Sequence, residues 1–401
     1  MDSTTHETLS RPARVLYVSP FGCLYGGELC LFEVVTKANR ELFSPRVVSG
    51  EDGPLVDALR AAEISVDIMR LPYMTHRGLQ AIQFAWKVIP TSLRLARVIR
   101  QGKFDLVYNN SLLNPYGALA ARLAGVPCVW HVHDLGKNPV LRFGITRLAE
   151  LLADRIIVVS EAVKGIFSAR GKKKIRVVYN GVDTDFFDPE WIGEADARRE
   201  YSITAGQKPI IAMIARLHET KRPQDMIQAL RSIRERWPEC LLLLAGEGPL
   251  EEELRRMVAD YGLERNVRFL GYVADVRGVL KLANVVVLTS DHEAFPRAPL
   301  EAMAMARVVV ATRVGGIPEA ITPETGRLIT PGNLTELVEA ISYVLEDEER
   351  ARQMGQAGRK RVLEHFSQKK YITEIEKIMA EVLTAYPSRL DLRAASETTK
   401  L

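Results

Sequence analysis

The sequence predicts an α/β protein made of two doubly wound parallel sheets. Short β-branched or Leu-rich runs alternate with stretches of helical periodicity along nearly the whole chain, the pattern of parallel strands joined by crossover helices. The alternation occurs twice, on either side of a segment, FFDPEWIGEADARREY, that fits neither series. A length of 401 residues suits two domains of ordinary size.

In order, a polar arm reaches about Pro12, and RVLYVSP from Arg14 to Pro20 reads as the first strand. The loop FGCLYGGE leads into a helix from about Glu28 to Arg40, then strand PRVVSG, helix DGPLVDALRAAE and strand SVDIMRLP. A long basic helix follows to about Gln101, expected to be interrupted at Pro90 because proline removes a helical N–H. Strands DLVYNNS and PCVWHVHD flank the helix GALAARLAG, which Gly125 ends. RIIVVS and IRVVYNG complete the first series. The second contains PIIAMIARL, a helix from about Pro223 to Trp237, CLLLLAGEG, a helix EEELRRMVADYGL, NVRFLGYV, a short helix DVRGVLKLA, VVVLTS, VVVATRVGG and a helix from Pro318. Asn333 with Glu336 marks a further helix start of the capping-box kind. An amphipathic helix spans Gln368 to about Ala385, and the tail beyond Pro387 is polar and predicted to be disordered. The expected domains are 13–190 and 191–367, followed by the helix 368–385 and a tail 386–401.

Composition narrows the function classes. No apolar run approaches the roughly 20 residues of a membrane span, and the N-terminus has no signal-peptide character. Cys23, Cys30, Cys128 and Cys240 show no metal or redox spacing and read as reduced thiols of a cytoplasmic protein. Residues 77–177 carry 17 Lys and Arg against 5 Asp and Glu, although the whole chain is only +4. So basic a window suits anionic lipid, nucleic acid or an anionic substrate; no nucleic-acid-binding signature accompanies it.

The most informative stretch is DHEAFPRAPLEAMA, Asp291 to Ala304. It puts Glu293 at the carboxyl end of the strand VVVLTS and Glu301 eight residues on, expected in the first turn of a helix with Pro299. Open α/β sheets bind ligands at such strand ends. The helix N-terminus suits an anion such as a diphosphate, and a carboxylate at Glu301 suits sugar hydroxyls. The same spacing also fits a helix-capping Glu beside a solvated loop Glu. Arg216 and Lys221, five residues apart after PIIAMIARL, offer the fixed cations that a departing diphosphate needs. Gly26 and Gly27 open the first helix, where backbone can approach a phosphate or merely turn. His131 and His133 share one side of an extended segment before Asp134. Either could be structural, and no Cys or further His accompanies them as a zinc site.

Glu293 to Glu301, Arg216 with Lys221, and YNGVDTDFF from Tyr179 to Phe187 resemble the motifs of retaining GT-B glycosyltransferases of family four. The resemblance spans about residues 13–385. The family often has Gly after the first Glu and Gly after the Phe, where this chain has Ala294 and Pro296. The resemblance implies two Rossmann-like domains facing across a cleft, with a nucleotide-sugar donor, UDP- or GDP-linked, on the second and the acceptor on the first. It implies no metal and no cofactor. Arg216 and Lys221 would hold the diphosphate, Glu301 the ribose, and Glu293 the transferred sugar. Gly26, Gly27, Gly246, Tyr272, Val273, Phe295, Pro296 and Arg297 would line the donor, and Asn110, Ser111 and Asp134 the acceptor side. His133 is the expected cleft histidine, with the choice against His131 open; the last helix is expected to cross back to the first domain.

The resemblance thus implies a retaining hexosyltransferase of bacterial polysaccharide or glycolipid assembly, acting on a saccharide or lipid-linked acceptor. A GT-B nucleotide-sugar epimerase or hydrolase, and a non-catalytic nucleotide-sugar binder, are the alternatives. From Phe84 to Lys103 aromatic, aliphatic and basic residues interleave, with Lys137, Arg142, Arg147 and Lys172 to Lys174 nearby. This fits either peripheral contact with an anionic membrane or an ordinary helix with a solvated basic face.

Overall fold

A computed structural model describes residues 11–71, 78–136 and 138–386, without the side chains of 78–85. The N-terminal arm before residue 11, the tail from 387, Lys137 and the Phe84 side chain therefore lie outside the described residues. The chain forms two compact units: residues up to Tyr179 with those from Tyr371 on, and Asn180–Lys370 between them. The first crossing falls some ten residues ahead of the expected 190.

The first unit holds a seven-stranded parallel sheet of order β3-β2-β1-β4-β5-β6-β7. Its strands are β1 (Ala13–Ser19), β2 (Phe43–Ser49), β3 (Val66–Ile68), β4 (Leu106–Asn110), β5 (Cys128–Val132), β6 (Arg155–Val158) and β7 (Ile175–Val177). β1, β4 and β5 are almost wholly buried, which is why they read as continuous apolar runs rather than alternating ones. Right-handed crossovers place helices by the direction in which the chain steps along the sheet. α1 (Gly26–Lys37) and α2 (Pro54–Ala61) take one face; α3 (Gly78–Gln101), α4 (Pro115–Ala124) and α5 (Pro139–Leu152) take the other. A four-residue helix, α6 (Glu161–Lys164), follows β6.

The second unit holds a six-stranded parallel sheet, β10-β9-β8-β11-β12-β13. Its strands are β8 (Ile210–Ile214), β9 (Leu241–Ala245), β10 (Val267–Gly271), β11 (Val285–Leu288), β12 (Val308–Thr312) and β13 (Gly326–Ile329). Around it lie α7 (Glu194–Glu200), α8 (Pro223–Arg236), α9 (Glu251–Asp260), α10 (Arg277–Leu282), α11 (Arg297–Ala304), α12 (Ile317–Ala320), α13 (Leu334–Leu345) and α14 (Glu348–His365). The last helix, α15 (Gln368–Thr384), joins the first unit's core. Tyr371, Ile375, Met379 and Val382 are buried with Tyr17, Leu31, Val34 and Leu55. Val182 forms a bridge with Ser367, so the chain's entry to and exit from the second unit are hydrogen-bonded to each other.

Several expectations need correction. α3 is continuous through Pro90 instead of being interrupted. Pro90 is exposed, as is Trp86, so the carbonyl that loses its N–H partner lies on the solvent-facing side of the helix, where the loss costs least. Pro299 is the third residue of α11 and so lies in its first turn as expected, but Glu301 is the fifth, just past that turn, because the helix already starts at Arg297. β13, α5 and α14 had no counterpart among the sequence expectations. α14 buries only Met354, Gly355, Gly358 and Val362, a stripe too poor in large apolar residues to show as periodicity.

Candidate active site

In the second unit, the loops after β8 and β11 meet. Thr289, just past β11, donates its hydroxyl to the carbonyls of Lys221 (2.8 Å) and Arg222 (2.9 Å). Asp291 N–H donates to Thr220 (3.0 Å). Arg222 takes a left-handed backbone (φ 48°) before Pro223 opens α8, a strained state for a non-glycine residue. It is locked there by bidentate bonds to Asp225 at 2.7 and 3.0 Å.

So held, Lys221 Nζ lies in direct contact with Glu293 Oε1, which also accepts the Ser290 hydroxyl at 2.7 Å. The carboxylate is nine-tenths buried, and the ammonium retains a quarter of its exposure. Glu301 lies on α11, its Oε1 3.5 Å from Arg297 Nε, with both side chains largely buried. Arg297 also donates to the Gly181 carbonyl (3.0 Å). Phe295 is buried with its ring 5.6 Å from that of Phe366, and its carbonyl accepts from Asn180 at 2.7 Å. Pro296 is the N-cap residue of α11.

Arg216 is exposed on the loop after β8, and Gly246 explains that loop's shape. Gly246 has φ +143°, and a Cβ on it would sit 2.1 Å from the Ala215 carbonyl oxygen. Gly248 is pressed as closely on the Leu217 carbonyl. Only glycines allow the two loops to touch. Tyr272 is exposed at the end of β10, and its N–H donates to Glu247 Oε1 (3.1 Å); Val273 follows it on the same exposed turn. Gly316 N–H donates to Ala294 (3.1 Å), so the turn after β12 supports the Glu293 loop.

In the first unit the carboxyl ends of β4 and β5 carry the polar groups. His131 is fully buried on β5, and its Nδ1 shares a hydrogen bond with the buried Tyr108 hydroxyl. His133, just past the strand, is half-buried, and its ring stacks on His131 with centroids 3.9 Å apart. Register thus separates the pair: His131 belongs to the core, and His133 stands at the strand end. His133 Nε2 lies 2.9 Å from Asn110 Oδ1, which can only accept, so Nε2 carries the proton. Asn110 Nδ2 reaches the Gly27 carbonyl at 3.4 Å, which fixes the amide's orientation. His133 Nδ1 is then a bare acceptor, with no protein partner. Burial holds the ring neutral, pushing its pKa down to about 3.

A Cβ on Gly27 would lie 3.3 Å from the His133 ring, whereas one on Gly26 meets open space. Next to Gly27, Glu28 is buried in the first turn of α1; burial first, and then the charge of Asp134, lifts its pKa to about 7. Asp134 is raised to about 6, again chiefly by burial, while its Oδ1 accepts the Gly136 N–H (3.1 Å). Ser111 has a left-handed backbone (φ 74°), its carbonyl accepting from Trp130 Nε1 at 2.8 Å. Asn109 and Asn114, both fully buried, lace β4 to β1: Asn114 Nδ2 donates to Val18 (3.1 Å), and Asn109 Nδ2 to Asn114 (2.6 Å).

Sequence reasoning missed Ser290, Thr289, Glu28 and Asn114. For the first two a signal existed, since hydroxyl residues closing a β-branched run commonly tie strand ends to loops. Glu28 looked like an ordinary first-turn acid, and its burial is invisible in the sequence.

Residues 195–361 match the family model described as glycosyl transferases group 1, and residues 26–186 match that of glycosyltransferase family 4. The chain is 32% identical over 251 residues to an N-acetyl-alpha-D-glucosaminyl L-malate synthase of Bacillus anthracis, covering 62% of this chain and 64% of that protein. It is 30% identical over 286 residues to a GDP-mannose-dependent alpha-(1-6)-phosphatidylinositol monomannoside mannosyltransferase of Mycobacterium tuberculosis, covering 67% of this chain and 73% of that one. The match to the first thus spans just under two thirds of its length. In fold, the chain is similar to Anabaena Alr3699/HepE, solved in complex with UDP. The TM-score is 0.79 at 23% identity, over 92% of this chain and 100% of that one.

Proposed function

This chain belongs to the glycosyltransferases of group 1 and family four, and we propose on that premise that it moves a hexosyl group from a nucleotide-diphosphate sugar to an acceptor hydroxyl, with retention. The observation that carries the reading is the Lys221–Glu293 contact at the ends of β8 and β11. In such a donor the anomeric carbon is one bond from the diphosphate, so a phosphate cation and a hydroxyl-binding carboxylate belong side by side.

Arg216 and Lys221 take the diphosphate, and Glu301 takes the ribose. Glu293, oriented by Ser290, accepts hydroxyls of the transferred sugar. The bond from the anomeric carbon to the diphosphate oxygen breaks, and the charge left on that oxygen is met by the two cations without a metal. The acceptor oxygen forms its bond on the face the diphosphate leaves, and its proton passes to the departing oxygen. On the acceptor side the incoming sugar meets the half-buried ring of His133, with Asn110, Ser111 and Asp134 around it. Relatives acting on GDP-mannose and a phosphatidylinositol mannoside, or on UDP-galactose and a diphosphoundecaprenol-linked sugar, support a UDP- or GDP-linked donor and a saccharide or lipid-linked acceptor.

The test is a thermal-shift screen of UDP- and GDP-sugars, followed by proton NMR of the product. One nucleotide class should stabilise the wild type, by roughly 2.7 kcal/mol at a hundredfold excess over Kd, and Glu301→Ala should lose the shift. The product should keep the donor's anomeric configuration in the presence of chelator. An inverted linkage, an epimerised donor without a new glycoside, or activity that needs added manganese would overturn this mechanism.

A further inference from the structure

α3, α4 and α5 form one layer on the first unit's sheet, with α4 between its neighbours. Their inward faces are conventional: Leu95, Ala96 and Ile99 of α3 and Ile145 and Ala149 of α5 are buried. Their outward faces are not. On α3, Trp86 is 79% exposed and Ile89 62%, with Leu93 one turn on. On α5, Val140 is 80% exposed, Phe143 62% and Leu151 75%. The spacings of three, four and eight residues keep each set on one side of its helix. Single exposed apolar residues are ordinary, but two aligned stripes in one layer are not.

The charge on the layer is one-sided. The three helices contain Lys87, Arg94, Arg97, Arg100, Arg122, Arg142 and Arg147 against a single acid, Glu150. That acid accepts from Ser168 N–H at 2.7 Å and from the Ser168 hydroxyl at 2.9 Å, and it also pairs with Arg147 at 2.8 Å, so it offsets one cation of the layer. Of the cations, Arg100 is tied to the Leu123 carbonyl, and Arg147 lies over the Phe143 ring at 5.0 Å. Lys174 of the neighbouring 3-10 helix caps α5 by donating to Glu150 and Ala153 carbonyls at 2.9 Å, so only Lys172 and Lys173 of that run add surface charge.

We propose that the outward face of α3 and α5 is a bilayer-docking surface for anionic lipid, with Trp86, Ile89, Val140, Phe143 and Leu151 entering the acyl boundary and the arginines meeting headgroup phosphates. The arrangement selects this occupant. Nucleic acid would use the cations but leave the aliphatic side chains without a partner. A folded protein partner needs a contiguous dry patch with a polar rim, whereas here arginines and apolar side chains interleave within each stripe. A headgroup layer over acyl chains accommodates that mixture. Among the described residues no helix is long and apolar enough to cross a membrane, so the contact is a surface one. The surface stands apart from the residues given roles in transfer, and its failure would leave the reaction untouched.

The experiment is co-sedimentation of the full chain with vesicles of phosphatidylglycerol and phosphatidylcholine, against phosphatidylcholine alone, at low and high salt. Binding should require phosphatidylglycerol and weaken with salt. Val140→Ser/Phe143→Ser/Leu151→Ser should reduce it at least about tenfold, and Arg94→Gln with Arg97→Gln roughly fivefold for each cation removed. All these positions are exposed, and unchanged melting curves establish that the variants fold. Wild type that stays in the supernatant overturns the proposal, as does binding unaffected by both variants. A wild-type dimer that the triple serine variant dissociates also overturns it, by assigning the face to a second copy.

Discussion

At the ends of β8 and β11 side chains meet as ions, Lys221 on Glu293 and Arg297 beside Glu301. At the ends of β4 and β5 they meet as neutral groups: Tyr108 with His131, and His133 with Asn110, beside acids whose pKa values burial has raised to about 6 and 7. The two sheets are wound alike and carry their polar residues at the same edge, so topology does not explain the difference. Under the proposed reaction, the ligand that each would hold accounts for it. A diphosphate brings charge and needs fixed cations with counter-carboxylates that shape its surroundings. A sugar hydroxyl brings none, and neutral donors and acceptors held rigid by burial serve it.

The comparison is broken most sharply at Lys221. Lys221→Ala should cut the transfer rate by about two to three orders of magnitude. It should also cost on the order of 2 kcal/mol of stability, because Glu293 is left buried and unpaired. Adding Glu293→Gln should restore most of the stability and none of the rate, read by denaturant melts beside steady-state kinetics. Recovery of the rate in the double variant would remove the ionic role from this edge.

Gly246 comes next. Its backbone and the 2.1 Å approach to Ala215 leave no room for a methyl group, so Gly246→Ala should destabilise by about 2–3 kcal/mol and weaken donor binding. A neutral effect would mean that the Arg216 loop is not held in this way.

Glu28 tests the neutral edge. Its pKa is raised from 4.5 to about 7 in the fold, so the native state keeps a proton that the unfolded chain has lost. Stability therefore falls as pH rises through that window. Glu28→Gln cannot ionise. It should melt with the wild type below pH 4.5 and be more stable than it at about pH 8, by roughly 1–3 kcal/mol. Superimposable melts across the range would show that the acid is not held against its charge.

The smallest effect separates two adjacent glycines. Gly26→Ala places a methyl in open space in a helix's first turn and should stabilise by about 0.5–1 kcal/mol. Gly27→Ala presses on His133 at 3.3 Å and should lower kcat several-fold in steady-state kinetics.

Much of this was legible beforehand. The buried strands announced themselves because a parallel strand covered on both faces must be apolar throughout. Glu293, Arg216 and Lys221 could be placed in strand-end loops from local pattern, whereas their grouping with Glu301 came from the family resemblance. Pro90 misled because proline's cost depends on whether the abandoned carbonyl is wet, and only the exposed face of α3 decides that. α14 escaped because two glycines, one methionine and one valine carry its packing. Gly355 lies against the Ala306 carbonyl, where a Cβ would come within 2.1 Å.

The order of residues by itself determined two doubly wound sheets, their strand-end loops and the chemical types gathered there, because local pattern fixes which faces must be buried. The tertiary structure alone decided that Lys221 touches Glu293 across 72 residues, that Glu301 lies a turn inside its helix, and that His133 rather than His131 stands at the strand end. It alone decided that Glu28 is buried beside Asp134. Those are distances and desolvations, set by how crossovers bring separate strand ends together, and no periodicity along the chain encodes them.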